Sequence, residues 1–237
     1  MTAAKTIRYS RIVDLSHPIS PDMPGWPGDP PTCFDTVADY GRDGYFLRRF
    51  AVGEHSGTHI NAPIGFHPQG DSVDALAAES LVLPAVVIDV ADQARVKPDF
   101  ALDQDTLSRW EVVHGLIPPG SLVMLDSGWG EKWASPRDFL NVDERGIARF
   151  PGFSLEAARF LVGQRNAAGI GIDTHGVDPA GDLDFRVNRY VLGASRIVLE
   201  NLANLHQLPP TGATVVIGAL KLLGGSGSPA AVTAFVP

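Results

Sequence analysis

Gly53-Glu54-His55-Ser56-Gly57-Thr58-His59-Ile60-Asn61-Ala62-Pro63-Ile64-Gly65-Phe66-His67-Pro68 places three of the chain's seven histidines within thirteen residues. On a helix a His-x-x-x-His pair shares one face and, with an adjacent Glu, binds zinc. That geometry does not suit this run. Gly57 lies between the histidines, Pro63 follows them, and no His-Glu-x-x-His occurs, all of which argue against a helix. The alternative is a strand end that turns at Ser56-Gly57 and brings both imidazoles to one point. A lone buried histidine is usually a hydrogen-bonded core residue. Two of them flanking Ser-Gly-Thr, with the Asn61 amide oxygen close behind, point instead to a metal site, which needs three or four converging groups.

Outward from this run the pattern is mainly of strands. Tyr45 to Val52 suggests one strand, and Leu81 to Val90 suggests another that is apolar on both faces. Arg11 to Leu15, Leu122 to Asp126, Gly169 to Asp173, Arg196 to Glu200 and Thr214 to Leu222 add five more. Ser154 is placed to cap a helix over Leu155 to Ala167, and a second helix is expected from Asp103 to Val113, opened by acidic and hydroxyl residues. No repeat of 20 to 50 residues occurs, which excludes solenoids and propellers and leaves a single mixed α/β or α+β domain over residues 1–237.

Residues 1–31 end in a proline-rich arm from His17 to Pro31 that cannot sit inside a sheet. Met23 and Trp26 are unusual for a solvated tail, so the arm is expected to pack over a pocket or a partner chain. A formal charge of -8, from 19 basic against 27 acidic residues, argues against binding to nucleic acid or anionic lipid. No apolar run approaches a membrane span. The single cysteine, Cys33, permits no internal disulfide, which suits a reducing compartment, with the cytoplasm as the default. Gly224-Gly225-Ser226-Gly227-Ser228 lacks the lysine of a phosphate loop and is read as a structural turn.

The histidine run resembles the His-x-Gly-Thr-His-x-Asp-x-Pro-x-His signature of the metal-dependent cyclase family, which includes bacterial kynurenine formamidase and isatin hydrolase. Val13-Asp14-Leu15-Ser16-His17-Pro18-Ile19, Asp126-Ser127-Gly128-Trp129, Gly171-Ile172-Asp173-Thr174 with Val177-Asp178-Pro179, and Leu199-Glu200-Asn201-Leu202 follow in the family's order. The resemblance thus runs over nearly the whole chain. It implies an α/β fold with a barrel-like β core and flanking helices, of the swivelling β/β/α type. It also implies a homodimer or homotetramer in which the N-terminal loop reaches a neighbour's site.

The activity implied is that of a metal-dependent hydrolase, in which a metal-activated water cleaves the C–N or C–O bond of a small aryl or cyclic amide, formamide or lactone. Carried over residue by residue, the metal ligands are His55, His59 and Glu200, with Asn61 where the signature has Asp. The final signature histidine is Gly65, and the later histidine, twelve positions before Glu200, is Asn188. A neutral amide is a weaker ligand and a poor bridge, so the set predicts one divalent cation per chain, zinc or manganese. His67 and His175 are the candidates for general acid and base, with Glu200 as the third. His17, Trp26, Phe46, Phe66 and Trp129 are the candidates for lining the substrate pocket. Two further readings follow from the altered signature: a metal-free pseudoenzyme that binds a small molecule, and a metal-independent isomerase or lyase.

Overall fold

Leu122–Asp126 is buried at every position, which requires both faces of its strand to be covered. In the computed structural model, which describes residues 6–237, this is what the architecture provides. The strands are β1 (Arg11–Asp14), β2 (Cys33–Ala38), β3 (Leu47–Ala51), β4 (His59–Asn61), β5 (Val82–Asp89), β6 (Ala101–Leu102), β7 (Leu122–Asp126), β8 (Gly152–Phe153), β9 (Gly169–Ile172), β10 (Ile197–Glu200), β11 (Thr211–Ala219) and β12 (Gly227–Val236). The order β12-β11-β5-β7-β9-β10-β4 closes on itself through β4 pairing with β12, giving a seven-strand barrel, and β1 extends β12 outside the ring. The β5-β7-β9-β10 stretch is parallel and the remainder antiparallel. The fold is therefore mixed α/β around a barrel, as the family resemblance implied.

Alternation along the strands divides the core in two. Leu83, Leu122, Met124, Leu199, Val215 and Val232 belong to the cluster that fills the barrel. Val86, Ile88, Val123, Leu125, Ile170 and Val198 point outward, where Leu107, Phe153, Leu161, Val187 and Val191 cover them. Asp103 caps the helix Gln104–His114 by accepting from the Thr106 amide at 2.8 Å, and Ser154 caps Leu155–Arg159 through the Ala157 amide at 3.0 Å. The second helix is shorter than expected. From Phe160 the ladder widens, with the Arg165 amide bonding the Phe160 carbonyl at 3.1 Å, and a single wide turn ends the helix at Gln164 instead of Ala167.

Among the elements not anticipated are β2, the ten-residue β12, and the helix Arg186–Gly193. In β12, Val232, Ala234 and Val236 alternate with more exposed residues, but the strand starts in small residues and Pro229, which hide its period. The helix starts without a capping residue next to it. Its first amide bonds instead belong to the Asp178 carboxylate, which accepts from the Val187 amide at 2.6 Å from nine positions away in sequence. Among the described residues no helix is long and apolar enough to cross a membrane.

Candidate active site

His59 enters the site because β4 sits at the closure of the barrel, where it pairs opposite Glu200 of β10 on one side and Pro229 of β12 on the other. Gly57 takes a left-handed φ of 63°, which makes the turn at Ser56-Gly57 that the sequence predicts and lets the Gly57 carbonyl accept from His59 Nδ1 at 2.8 Å. In the neutral ring that bond leaves a lone pair on Nε2. Nε2 lies 3.0 Å from Glu200 Oε2, buried and without a hydrogen bond of acceptable angle.

Glu200 is fully enclosed. Burial works against its ionisation, but the adjacent His59 ring when it carries a proton, then donors from Asn61 and Val177, outweigh it and hold the carboxyl down at about 2. Asn61 Nδ2 donates to Oε2 at 3.0 Å, and the Val177 amide donates to Oε1 at 3.0 Å. Since Asn61 Nδ2 faces a carboxylate, its Oδ1 faces His55 Nδ1, 2.6 Å away. His55 Nε2 meets Ser226 Oγ at 2.8 Å, and that hydroxyl in turn meets Glu54 Oε2 at 2.7 Å. Burial, then the neighbouring His59, push the His55 ring below its ordinary value.

These groups form the polar floor of a cavity of about 260 Å³ whose walls include Trp26, Phe66, Phe150, Phe185 and Leu192. Phe185 holds a left-handed φ of 53°, a strained conformation for an aromatic residue, in the loop that turns into the helix Arg186–Gly193. His175 also lines the cavity. Both of its ring nitrogens are buried without partners, and it is enclosed edge-to-face by Trp26 at 5.0 Å and Phe150 at 4.2 Å. Burial lowers its pKa to about 4, so the ring is neutral near pH 7.

A lone pair and a carboxylate at 3.0 Å repel unless a proton or a cation is shared between them, so the pair suits a divalent metal. Among the described residues no three His, Cys, Asp or Glu side chains converge closely enough to hold one alone. His59 Nε2 and Glu200 Oε2 are the facing donors that would suit a metal ion, while Asn61 turns its Oδ1 to His55 and its Nδ2 to Glu200.

The site residues anticipated from sequence divide clearly. His55, His59, Asn61 and Glu200 come together, and His175, Trp26 and Phe66 line the same cavity. Trp26 lines it from its own chain. His67 does not join them, because its Nε2 is tied to the Arg189 carbonyl at 2.8 Å on the far side of the helix Arg186–Gly193. His17 stacks on Trp133 at 4.1 Å and borders a separate, smaller cavity of about 100 Å³. Trp129 is a core residue, 3% exposed, with its indole N–H donated to the Phe139 carbonyl. Phe46 is half exposed beside the β2–β3 hairpin, stacked on Tyr40. Sequence reasoning missed Phe150, Phe185 and Ser226. Ser226 lies in the glycine-rich segment read as a turn, and neither phenylalanine belongs to a motif.

Gly227 is where the backbone of β12 comes closest to the site. A Cβ there would lie 2.6 Å from His55 Cε1 and 2.7 Å from the Ile60 carbonyl oxygen. Gly227→Ala is expected to cost about 2 kcal/mol of stability and to lower kcat/KM by displacing His55. Denaturant unfolding alongside steady-state kinetics checks both.

A barrel closed over a histidine–carboxylate floor, with an apolar mouth, describes a class of small-molecule hydrolase. The family model described as putative cyclase matches residues 13–179, and the chain belongs to that family. Isatin hydrolase of Roseibium aggregatum is 33% identical over 211 residues, covering 85% of this chain and 80% of its own. Kynurenine formamidase of Salinibacter ruber is 28% identical over 221 residues, covering 92% and 94%. The solved structure of isatin hydrolase A from Ralstonia solanacearum superposes with a TM-score of 0.91 at 37% identity, covering 96% of this chain and 92% of that one. The chain is a hydrolase of this family.

Proposed function

We propose that the chain hydrolyses the C–N bond of a small aryl cyclic amide or aryl formamide, with the C–O bond of a lactone as the related reaction. One divalent cation, zinc or manganese, is held by His59 and Glu200, with Asn61 and His55 beside them. The observation that carries this reading is the His59–Glu200 contact at the floor of an aromatic-walled cavity. When bound, the cation supplies Lewis acidity to a water and to the scissile carbonyl. The protein's own groups do the rest. Trp26, Phe66 and Phe150 bind the aryl ring and exclude bulk water. Glu200, ionised and held at about 2, would serve to hold the cation rather than to take up a proton. His175, neutral, has one N–H and one lone pair free to bind the substrate or relay a proton.

Turnover of an aryl formamide and of a fused five-membered cyclic amide, before and after chelation and dialysis, tests this. The expected result is a loss of about 10²-fold or more, restored by zinc or manganese. Demetallated protein that hydrolyses as fast as untreated protein overturns it.

One observation favours a second reading. Both nitrogens of His55 and every oxygen of Glu200 already have polar neighbours within the protein, as suits a metal-free binding protein or a metal-independent isomerase or lyase. Metal analysis separates the two, with about one ion per chain expected for the hydrolase.

The assembly belongs to the same proposal. The segment from β2 to β3 exposes Val37, Tyr40, Tyr45, Phe46, Leu47 and Phe50, more apolar surface than a monomer usually leaves in one hairpin. This supports a homodimer or homotetramer, while the single cysteine, Cys33, supports the cytoplasm as its compartment. Light scattering that returns the mass of a single 25.3 kDa chain overturns the oligomer.

A further inference from the structure

Asn188 is the buried polar residue of the helix Arg186–Gly193, only 5% exposed, and it lines the cavity. Its Nδ2 lies 2.9 Å from Asp178 Oδ2 and 3.3 Å from Glu200 Oε1. Both neighbours are carboxylate oxygens, so the amide cannot be turned round without setting an oxygen against two acceptors. The helix fixes the backbone, and Asp178 holds it further by accepting from the Asn188 amide at 3.3 Å. Asn188 Oδ1 is therefore an acceptor of determined orientation, and it is buried with no donor from the protein. A buried acceptor left without a donor is costly, so a site that keeps one is built for a donor from outside.

We propose that Asn188 Oδ1 receives an N–H of the substrate, so that the cavity selects ring amides and anilides with a free N–H over their N-alkyl and ring-oxygen counterparts. This deepens the amide-hydrolase reading and rests on it for the reaction, though not for the binding preference. The neighbouring walls, Phe66, Phe185 and Leu192, offer no polar partner of their own. Glu200 and Asp178, the carboxylates beside Asn188, already accept from protein N–H groups, so Asn188 Oδ1 is the acceptor at this point of the cavity that has no donor of its own. The same position explains how a neutral amide is tolerated between two carboxylates: its Nδ2 links them, and its oxygen is left for the ligand.

Calorimetric titration of the full chain with indolin-2-one, N-methylindolin-2-one and benzofuran-2-one tests the preference without requiring turnover. The free N–H ring is expected to bind about 10-fold or more tighter than either analogue. In Asn188→Leu the gap is expected to shrink below about 2-fold through weaker binding of the N–H ring alone. Equal affinity of the three rings for the unaltered protein overturns the proposal even if the variant fails to fold, and so does no binding of any. An undiminished gap in a folded variant overturns it as well. An N–H preference in binding with no ring cleaved upholds the proposal while the hydrolase reading fails. Equal kcat/KM for N–H and N-methyl ring amides sinks the proposal while that reading stands.

Discussion

Glu200→Gln is expected to reduce kcat/KM by about 10²–10⁴-fold and to destabilise the fold by about 3 kcal/mol. The substitution is nearly isosteric, so the effect is chemical. The Val177 amide, Asn61 Nδ2 and Asn188 Nδ2 all donate to the carboxylate, and His59 stands 3.0 Å away. A glutamine amide presents two N–H groups of its own to these donors, so at least one buried donor loses its acceptor. The pH dependence follows in sign. The folded-state value near 2 lies below the ordinary 4.5, so the stabilisation is fully present above about pH 4.5 and is lost as pH falls towards 2. In Glu200→Gln this part of the acid unfolding limb is expected to vanish. Chemical unfolding of both proteins between pH 2 and 6 reads it, and an unchanged acid limb would show that the carboxylate is not held in this network.

His175→Phe is expected to separate stability from activity. Two buried nitrogens without partners, surrounded by Trp26, Phe139 and Phe150, mean that an apolar ring suits the enclosure as well as imidazole does or better. The variant is expected to be as stable as the parent at pH 7 and more stable in acid. With a folded pKa of about 4 against an ordinary 6.5, the unfolded chain takes up a proton that the folded chain refuses. Stability therefore falls as pH drops from 6.5 to 4, by up to about 3 kcal/mol, and the phenylalanine variant escapes that fall. If the ring binds or relays a proton to the substrate, kcat falls by about 10²-fold or more. A variant that keeps full kcat assigns His175 to the cavity wall alone.

Local chemistry explains why much of the framework was legible in the sequence. Leu122 to Asp126 is apolar on both faces, which only a covered strand satisfies, and it forms a strand over those residues. Asp103 and Ser154 name two helix starts because their side chains satisfy amides three residues on. The Ser56-Gly57 turn follows from a glycine that takes a positive φ. The convergence of His55, His59 and Asn61 was legible in the local run, whereas Glu200 was joined to them only through motif order along the chain.

Direction in space was decided elsewhere. His67 and His175 are equivalent as residue types, yet one is spent on a backbone carbonyl and the other faces the cavity. Phe46 and Trp129 are as aromatic as Phe150 and Phe185, but the hairpin carries the first outward and the second packs into the core. The sequence by itself determined where the buried strands and the side-chain-capped helices lie and which polar groups are available. Only the tertiary structure decided which of them meet, because closure of the barrel pairs His59 with Glu200 and Pro229 across more than a hundred residues, and no local periodicity records a register set at that distance.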